Sequence, residues 1–250
     1  MLEVMIEMNY SVDSHLMIIA HRGTTAPSIK ENTIEAFGLS LKEGADMIET
    51  DIRSTKDRKL ICSHNAEWKN KKINEMTYEE LKTKITAQEG WYPPLLSEVF
   101  ALLDNGIQLN IEIKERGLEK QVLETIPSTF SKERVIITSF EESVIANVKE
   151  IDSNIRTGLI VGTSIFAGRQ KTLSHWRDYF PENRLRKAKA DIVCPHYRIA
   201  NKLFIQRLQK KGYDIYVWTV NHPEKIKKFV RLGVDGIFTD NISTALKHRK

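Results

Sequence analysis

Cysteine is scarce in this sequence, which limits how the fold can be stabilised. Only two occur in 250 residues, Cys62 and Cys194, and each lies in an apolar run. A free cysteine in such a setting behaves as a small hydrophobic side chain. We therefore expect no structural disulfide, and this cysteine usage is typical of a reducing compartment.

Long apolar segments are also missing. No stretch approaches the 18 consecutive apolar residues that indicate a membrane-spanning helix, so we expect no stable membrane insertion. Residues 1–16 contain no lysine or arginine, and they lack both the basic start and the unbroken apolar core of a signal peptide. Together these features predict a cytoplasmic protein.

The charge is only weakly one-sided. The 38 basic and 33 acidic residues give a net charge of +5, which favours anionic substrates. This excess is far from the basic, aromatic-interleaved footprint of a nucleic-acid-binding surface. We therefore expect a small-molecule substrate and no nucleic-acid partner, while the sequence leaves the oligomeric state open.

Polar residues that suggest chemistry are concentrated near the start of the chain. An apolar run over residues 16–20, typical of a buried strand, ends at His21 and Arg22. A short strand predicted over residues 60–63 leads to a second histidine, His64. Two histidines thus follow directly on two predicted strands.

Two carboxylates lie between these histidines, in a strand predicted over residues 47–53. Side chains alternate along a strand, so Glu49 and Asp51 point to the same face, about 7 Å apart. Such a pair is unfavourable unless a cation lies between them. This strand is therefore a candidate for cation binding.

The rest of the chain alternates between short strands and helices. Asn32, with Glu35 three residues later, is typical of a helix start. Eight strands precede a helix, near residues 18, 49, 111, 137, 158, 193, 216 and 238. This alternation predicts a parallel sheet, and eight units fit a closed (β/α)8 TIM barrel.

The barrel is expected to be a single domain over residues 16–250, after a lead-in over residues 1–15. A polar stretch over residues 66–94 interrupts the alternation and is a candidate lid or substrate-specificity loop.

In such barrels the active site lies at the carboxyl ends of the strands. The polar and aromatic residues that fall at or near predicted strand ends are His21, Arg22, Glu49, Asp51, Glu112, Lys114, Phe140 and Trp218. Three carboxylates facing one cavity offer oxygen ligands to a hard divalent cation, Mg²⁺ or Ca²⁺. The alternative for each carboxylate is a salt bridge, for example between Glu112 and Lys114.

Several short motifs occur here at a characteristic spacing. They are His21-Arg22-Gly23, Glu31-Asn32-Thr33, Ala36-Phe37, Gly44-Ala45-Asp46, Glu49-x-Asp51, Thr55-x-Asp57 and His64. As a set they resemble the glycerophosphodiester phosphodiesterase family, and the resemblance covers nearly all the chain after residue 16. Two positions depart from the family pattern: Lys30 stands in place of a proline, and Asn65 in place of the aspartate that follows the histidine.

The resemblance implies a TIM barrel that hydrolyses glycerophosphodiesters to sn-glycerol 3-phosphate and an alcohol. It implies that three carboxylates ligate the metal, namely Glu49, Asp51 and Glu112. It also implies that His21 and His64 form the acid/base pair, and it places Trp218 and Phe140 at the mouth. The metal, Arg22 and Lys114 would neutralise the phosphodiester as its phosphorus becomes five-coordinate.

Two other functions fit the same residues. A phospholipase D-like enzyme, such as a lysophospholipase D or a sphingomyelinase D-like protein, shares the barrel but takes a lipid. An apolar channel would be needed for this, and Trp91, Tyr92 and Phe166 are insufficient support for one. A non-catalytic phosphodiester-binding barrel, with Asn65 marking lost activity, is disfavoured by the intact histidines and carboxylates.

Overall fold

The computed structural model of the protein describes residues 16–103, 106–163 and 171–249. The lead-in predicted for residues 1–15, and Phe166, lie outside these ranges. Within them the chain forms one barrel of eight parallel strands surrounded by helices, so the predicted (β/α)8 fold is confirmed.

Eleven strands occur in the described ranges. They are β1 (Met17–Ala20), β2 (Met47–Ser54), β3 (Leu60–Cys62), β4 (Glu67–Trp68), β5 (Lys71–Lys72), β6 (Gln108–Ile113), β7 (Val135–Ser139), β8 (Arg156–Val161), β9 (Ile192–Pro195), β10 (Asp214–Val217) and β11 (Gly236–Thr239). The barrel contains β1, β2 and β6 to β11, and pairing of β1 with both β2 and β11 closes it. The eight strands expected from the sequence are therefore the barrel strands.

Ten α-helices are present in the same ranges. They are α1 (Ile34–Glu43), α2 (Tyr78–Glu89), α3 (Leu96–Leu102), α4 (Glu119–Thr125), α5 (Glu142–Ile151), α6 (Lys171–Tyr179), α7 (Glu182–Ala188), α8 (Lys202–Gln209), α9 (Pro223–Arg231) and α10 (Ile242–Lys247). None of these helices is both long enough and apolar enough to cross a membrane.

The start of α1 differs from the prediction. Thr33, and not Asn32, caps this helix, because the Thr33 hydroxyl accepts a hydrogen bond from the backbone N–H of Ala36. Asn32 has a backbone φ of 55°, a left-handed conformation that asparagine tolerates better than most residues. Its side chain is thereby turned away from the helix and toward β2.

The core has two layers, which together determine where a cavity can form. Outside the strands, apolar residues pack against the helices in two large clusters. Inside the barrel, a third cluster fills the interior with Ile19, Met47, Ile136, Ile160, Ile192, Cys194, Tyr216 and Phe238. Phe140 and Trp218 pack on this interior cluster, so the open space lies at the carboxyl ends of the strands.

The stretch over residues 66–94 forms a small module beside the barrel. It contains the β4–β5 hairpin and α2, and its Leu81 and Ile85 form a hydrophobic cluster with Ile61 of β3. Trp91 packs against that cluster and does not line the central cavity. The module is attached to the β2–β3 hairpin, and its role as a lid or specificity loop stays a prediction.

Candidate active site

A cavity of about 350 Å³ opens at the carboxyl ends of the barrel strands. It is lined by eight of the nine predicted site residues, namely His21, Arg22, Glu49, His64, Glu112, Lys114, Phe140 and Trp218. The ninth, Asp51, is fully buried and in contact with Arg22 and Lys114. The structure therefore brings together every residue that the sequence grouped at the strand ends.

The three carboxylates converge because of strand spacing and strand register. Glu49 and Asp51 are two residues apart on β2, and Asp51 is the register partner of Glu112 on the neighbouring strand β6. One carboxylate oxygen from each of these residues lies within 4.8 Å of the others, and all three side chains are buried. This donor set is the kind that Mg²⁺ and Ca²⁺ prefer.

Two cationic side chains compensate part of this negative charge. Arg22 Nε lies 3.1 Å from Asp51 Oδ2, and Lys114 Nζ lies 3.1 Å from Asp51 Oδ1 and 2.6 Å from Glu112 Oε1. The salt bridge between Glu112 and Lys114, given above as the alternative to cation binding, is thus present. Glu49 differs from the other two carboxylates, because in the described part of the chain it makes no ion pair with lysine or arginine. It accepts a hydrogen bond from the Arg22 backbone N–H.

The electrostatics of the cluster favour a further cation. Burial and the neighbouring Asp51 carboxylate raise the pKa of Glu49 to about 8. Burial alone would raise the pKa of Asp51, but Lys114 and Arg22 outweigh it and lower that pKa. Asp51 Oδ1 is also buried, and the structure gives it an ion pair with Lys114 at 3.1 Å. A divalent cation among the three carboxylates would offset the repulsion that raises the pKa of Glu49.

Asn32 holds Asp51 in place. Its Nδ2 donates to Asp51 Oδ2 at 2.9 Å, while its Oδ1 accepts from the Thr50 hydroxyl and from the Asp51 backbone N–H. Asn32 is itself buried. A residue that the sequence suggested as a helix start is therefore a direct support of the acidic cluster.

His21 is oriented by a carboxylate. Its Nδ1 lies 2.8 Å from Asp240 Oδ1, which leaves the other ring nitrogen, Nε2, for the cavity. Burial lowers the pKa of His21, but the hydrogen bond to Asp240 and the Glu49 charge outweigh burial, so the pKa is raised. Asn221 in turn donates a hydrogen bond to Asp240 Oδ2 at 2.6 Å.

His64 has the opposite environment. Burial and the nearby Arg22 guanidinium lower its pKa. Its Nδ1 lies 3.2 Å from the Asn65 side-chain oxygen, so the residue in place of the usual aspartate contacts the ring without adding charge. The two histidines therefore have pKa values shifted in opposite directions.

Two aromatic rings form one wall of the cavity. Phe140 and Trp218 meet edge to face, with ring centroids 5.7 Å apart, and Lys114 Nζ lies 5.7 Å from the Phe140 ring centroid. Trp218 is held by a hydrogen bond from Nε1 to the Cys194 carbonyl and by the ring of His196 at 4.9 Å.

Three of these supporting residues are not among the site residues expected from the sequence, namely Asp240, His196 and Asn32. Of these, Asn32 is expected to start a helix. A sequence signal existed for Asp240, because it follows strand β11 directly, as His21 follows β1. His196 similarly follows β9, whereas nothing local links Asn32 to β2.

Comparisons with known proteins identify the family of the chain. The family model described as glycerophosphoryl diester phosphodiesterase matches residues 21–244. A glycerophosphodiester phosphodiesterase of Caldanaerobacter subterraneus subsp. tengcongensis is 30% identical, over 92% of this chain and 96% of that protein.

Two solved structures are similar along nearly their whole length. A glycerophosphodiester phosphodiesterase of Thermotoga maritima superposes with a TM-score of 0.75 at 28% identity, covering 93% of this chain and 98% of that one. An Oleispira antarctica phosphodiesterase, solved in complex with the product sn-glycerol-3-phosphate, has a TM-score of 0.75 at 20% identity, covering 93% and 96%.

Fold and site together define a TIM-barrel enzyme with an acidic, histidine-bearing mouth. The chain belongs to the glycerophosphoryl diester phosphodiesterase family. It is accordingly a phosphoric diester hydrolase.

Replacing Asp240 with asparagine should lower the pKa of His21, because the carboxylate that stabilises its imidazolium is lost. Histidine NMR titration of the metal-free protein measures this pKa directly, and the limb of the pH–rate profile that depends on His21 should move to lower pH. Asp152→Asn, which removes a carboxylate paired with Lys132 at the end of α5, is the control. An unchanged His21 pKa in Asp240→Asn would contradict the assigned role of Asp240.

Replacing Asn65 with aspartate should raise the pKa of His64, because a carboxylate beside Nδ1 stabilises the protonated ring. We expect both the natural protein and Asn65→Asp to be active. In the variant, the limb of the pH–rate profile that depends on His64 should move to higher pH. Asn70→Asp adds the same charge at an exposed hairpin turn and should leave the profile unchanged. If the natural protein is inert and Asn65→Asp creates activity, the non-catalytic reading is correct.

Proposed function

We propose that this protein catalyses the metal-dependent hydrolysis of glycerophosphodiesters to sn-glycerol 3-phosphate and an alcohol. The observation that carries the proposal is the convergence of three buried carboxylates beside two histidines in one cavity. The product bound to the Oleispira antarctica phosphodiesterase supports the same reaction class.

The cavity suits a small, deacylated diester. Arg22 and Lys114 both line it and carry the positive charge that attracts a phosphodiester. Phe140 and Trp218 offer an apolar wall to the carbon atoms of the glycerol backbone. A volume of about 350 Å³ is at the low end of the range for small-molecule sites. The cytoplasmic location and the absence of a nucleic-acid partner stay predictions from the sequence.

The carboxylates of Glu49, Asp51 and Glu112 would hold the cation, which is Mg²⁺ or Ca²⁺ by the chemistry of its ligands. When bound, the cation supplies positive charge to the phosphoryl oxygens of the substrate. Around that site, Arg22 and Lys114 are held by Asp51 and Glu112 and so present fixed charges to the phosphate.

The two histidines suit proton transfer on either side of the phosphorus atom. One removes the proton from the glycerol hydroxyl adjacent to the phosphodiester, and that oxygen attacks phosphorus. The other gives a proton to the departing alcohol. Water then opens the resulting cyclic phosphate with the two roles exchanged. The attack is intramolecular, so the nucleophile has a high effective concentration.

The opposite pKa shifts of the two histidines support this pairing. A raised pKa keeps His21 protonated at higher pH, and a lowered pKa keeps His64 unprotonated at lower pH. One ring can therefore donate a proton while the other accepts one at the same pH.

Metal binding should depend on Glu49. In the natural protein, a metal concentration about 100 times Kd should raise the melting temperature by about 5–10 °C. Glu49→Gln removes one ligand, so both the calorimetric binding signal and this stabilisation should largely disappear. Glu141→Gln, which removes an exposed carboxylate paired with Arg116, should bind normally. Full turnover of metal-stripped protein in excess chelator would contradict metal dependence.

Substrates without the adjacent hydroxyl should be very poor, even when they bind. The assay compares glycerophosphocholine with its 2-deoxy analogue, with lysophosphatidylcholine as a lipid arm, and follows the products by phosphorus NMR. His21→Ala and His64→Ala should each lower turnover by about 10²-fold or more while metal binding is largely kept.

Each product pattern distinguishes a mechanism. Free glycerol phosphate supports hydrolysis, whereas accumulated cyclic phosphate supports a phospholipase D-like lyase. Rapid cleavage of the deoxy analogue would exclude the intramolecular step and leave direct attack by water. Preference for lysophosphatidylcholine would assign the enzyme to the lysophospholipase D class.

A further inference from the structure

Arg53 makes a fork of hydrogen bonds to the residue that carries the second histidine. Its Nε and Nη2 donate to the His64 backbone carbonyl oxygen at 3.0 and 2.9 Å. Its Nη1 pairs with Glu115 Oε1 at 2.8 Å. The Arg53 side chain is only 13% exposed, so these contacts are largely shielded from water.

The contacts of Arg53 connect three parts of the site. Arg53 follows Asp51 by two residues on β2 and therefore projects from the same face of that strand. Its carbonyl acceptor belongs to the loop after β3, and Glu115 is the residue after Lys114, just beyond β6. One side chain thus links the acidic strand, the His64 loop and the segment that carries Lys114.

The other restraints on the His64 loop are less direct. Ser63 is tied to β2 through its backbone N–H, which donates to the Asp51 carbonyl at 2.9 Å. Asn65 contacts the His64 ring from an exposed position. Two donors from one rigid guanidinium define both the distance and the direction of the His64 carbonyl, which a single flexible contact does not.

We propose that Arg53 is a positioning residue that sets the location of His64 relative to the acidic cluster. This inference rests on the proposed function, in which His64 transfers a proton. Arg53 does not line the cavity and has no role as an acid or base. It acts through His64.

A matched control exists elsewhere in the barrel. Arg134 also donates from Nε and Nη2 to a backbone carbonyl, that of Ile107, which lies just before β6. This fork is at the amino ends of the strands, away from the cavity. Arg134→Met therefore removes the same kind of contact without affecting either histidine.

The experiment is a double-mutant cycle with steady-state kinetics on glycerophosphocholine. Arg53→Met should lower kcat by about 10- to 100-fold with KM changed by less than about threefold, because geometry and not substrate binding is lost. Arg53→Lys keeps the charge and one donor, so its kcat should lie between those of Arg53→Met and the natural protein. In a His64→Ala background, Arg53→Met should have little further effect, because its role is exerted through a side chain already removed. Arg134→Met should leave kcat unchanged in both backgrounds.

Histidine-ring NMR of the metal-free proteins gives a readout independent of turnover. Signals of His64 should move or broaden in Arg53→Met and stay unchanged in Arg134→Met. An unchanged kcat, a loss that adds fully to that of His64→Ala, or unaltered His64 signals would overturn the inference. If the natural protein is inert on every diester, the proposed function fails, and the NMR comparison still decides whether Arg53 positions His64.

Discussion

The burial of three carboxylates at one point is the interaction on which the rest of the site depends. Isolated buried charges are strongly unfavourable, so the surrounding chain has to compensate them. Arg22 and Lys114 supply two positive charges, and Asn32 supplies hydrogen bonds to Asp51. When all three carboxylates are ionised, these two cations leave one negative charge uncompensated, and burial beside Asp51 raises the pKa of Glu49 to about 8. A divalent cation is the simplest group that compensates this charge.

Strand β2, which carries two of these carboxylates, is the longest barrel strand, because beyond Ile52 it continues as a hairpin with β3. It spans eight residues, Met47–Ser54, whereas β1, β9, β10 and β11 each span four. One strand face therefore carries Glu49, Asp51 and Arg53 in succession. The first two build the acidic cluster, and the third reaches the His64 loop. The acidic cluster and the contact to the His64 loop thus share one rigid element, and side chains on strands are held more accurately than side chains on loops.

The two histidines are supported in different ways, and the difference is chemical. His21 is held through its ring by a carboxylate, which raises its pKa. His64 is held through its backbone by Arg53, while its ring contacts a neutral amide and lies near the Arg22 charge. The carboxylate contact favours the protonated ring of His21, whereas the main-chain contact of His64 adds no charge to its ring. The two histidines can therefore differ in protonation within one cavity. This asymmetry follows from the Asp240 carboxylate beside His21 and from the burial of His64 near Arg22.

The sequence by itself determined the barrel and the identity of the residues at its mouth. Alternating strands and helices are a local pattern, and residues two apart on a strand share a face whatever the rest of the chain does. Only the tertiary structure decided how those residues are supported. Asn32 carries local features of a helix start, and its contact with Asp51 exists because the β1–α1 loop folds over β2. Asp240 meets His21 because β11 pairs with β1 when the barrel closes, a contact across 219 positions that no local pattern contains.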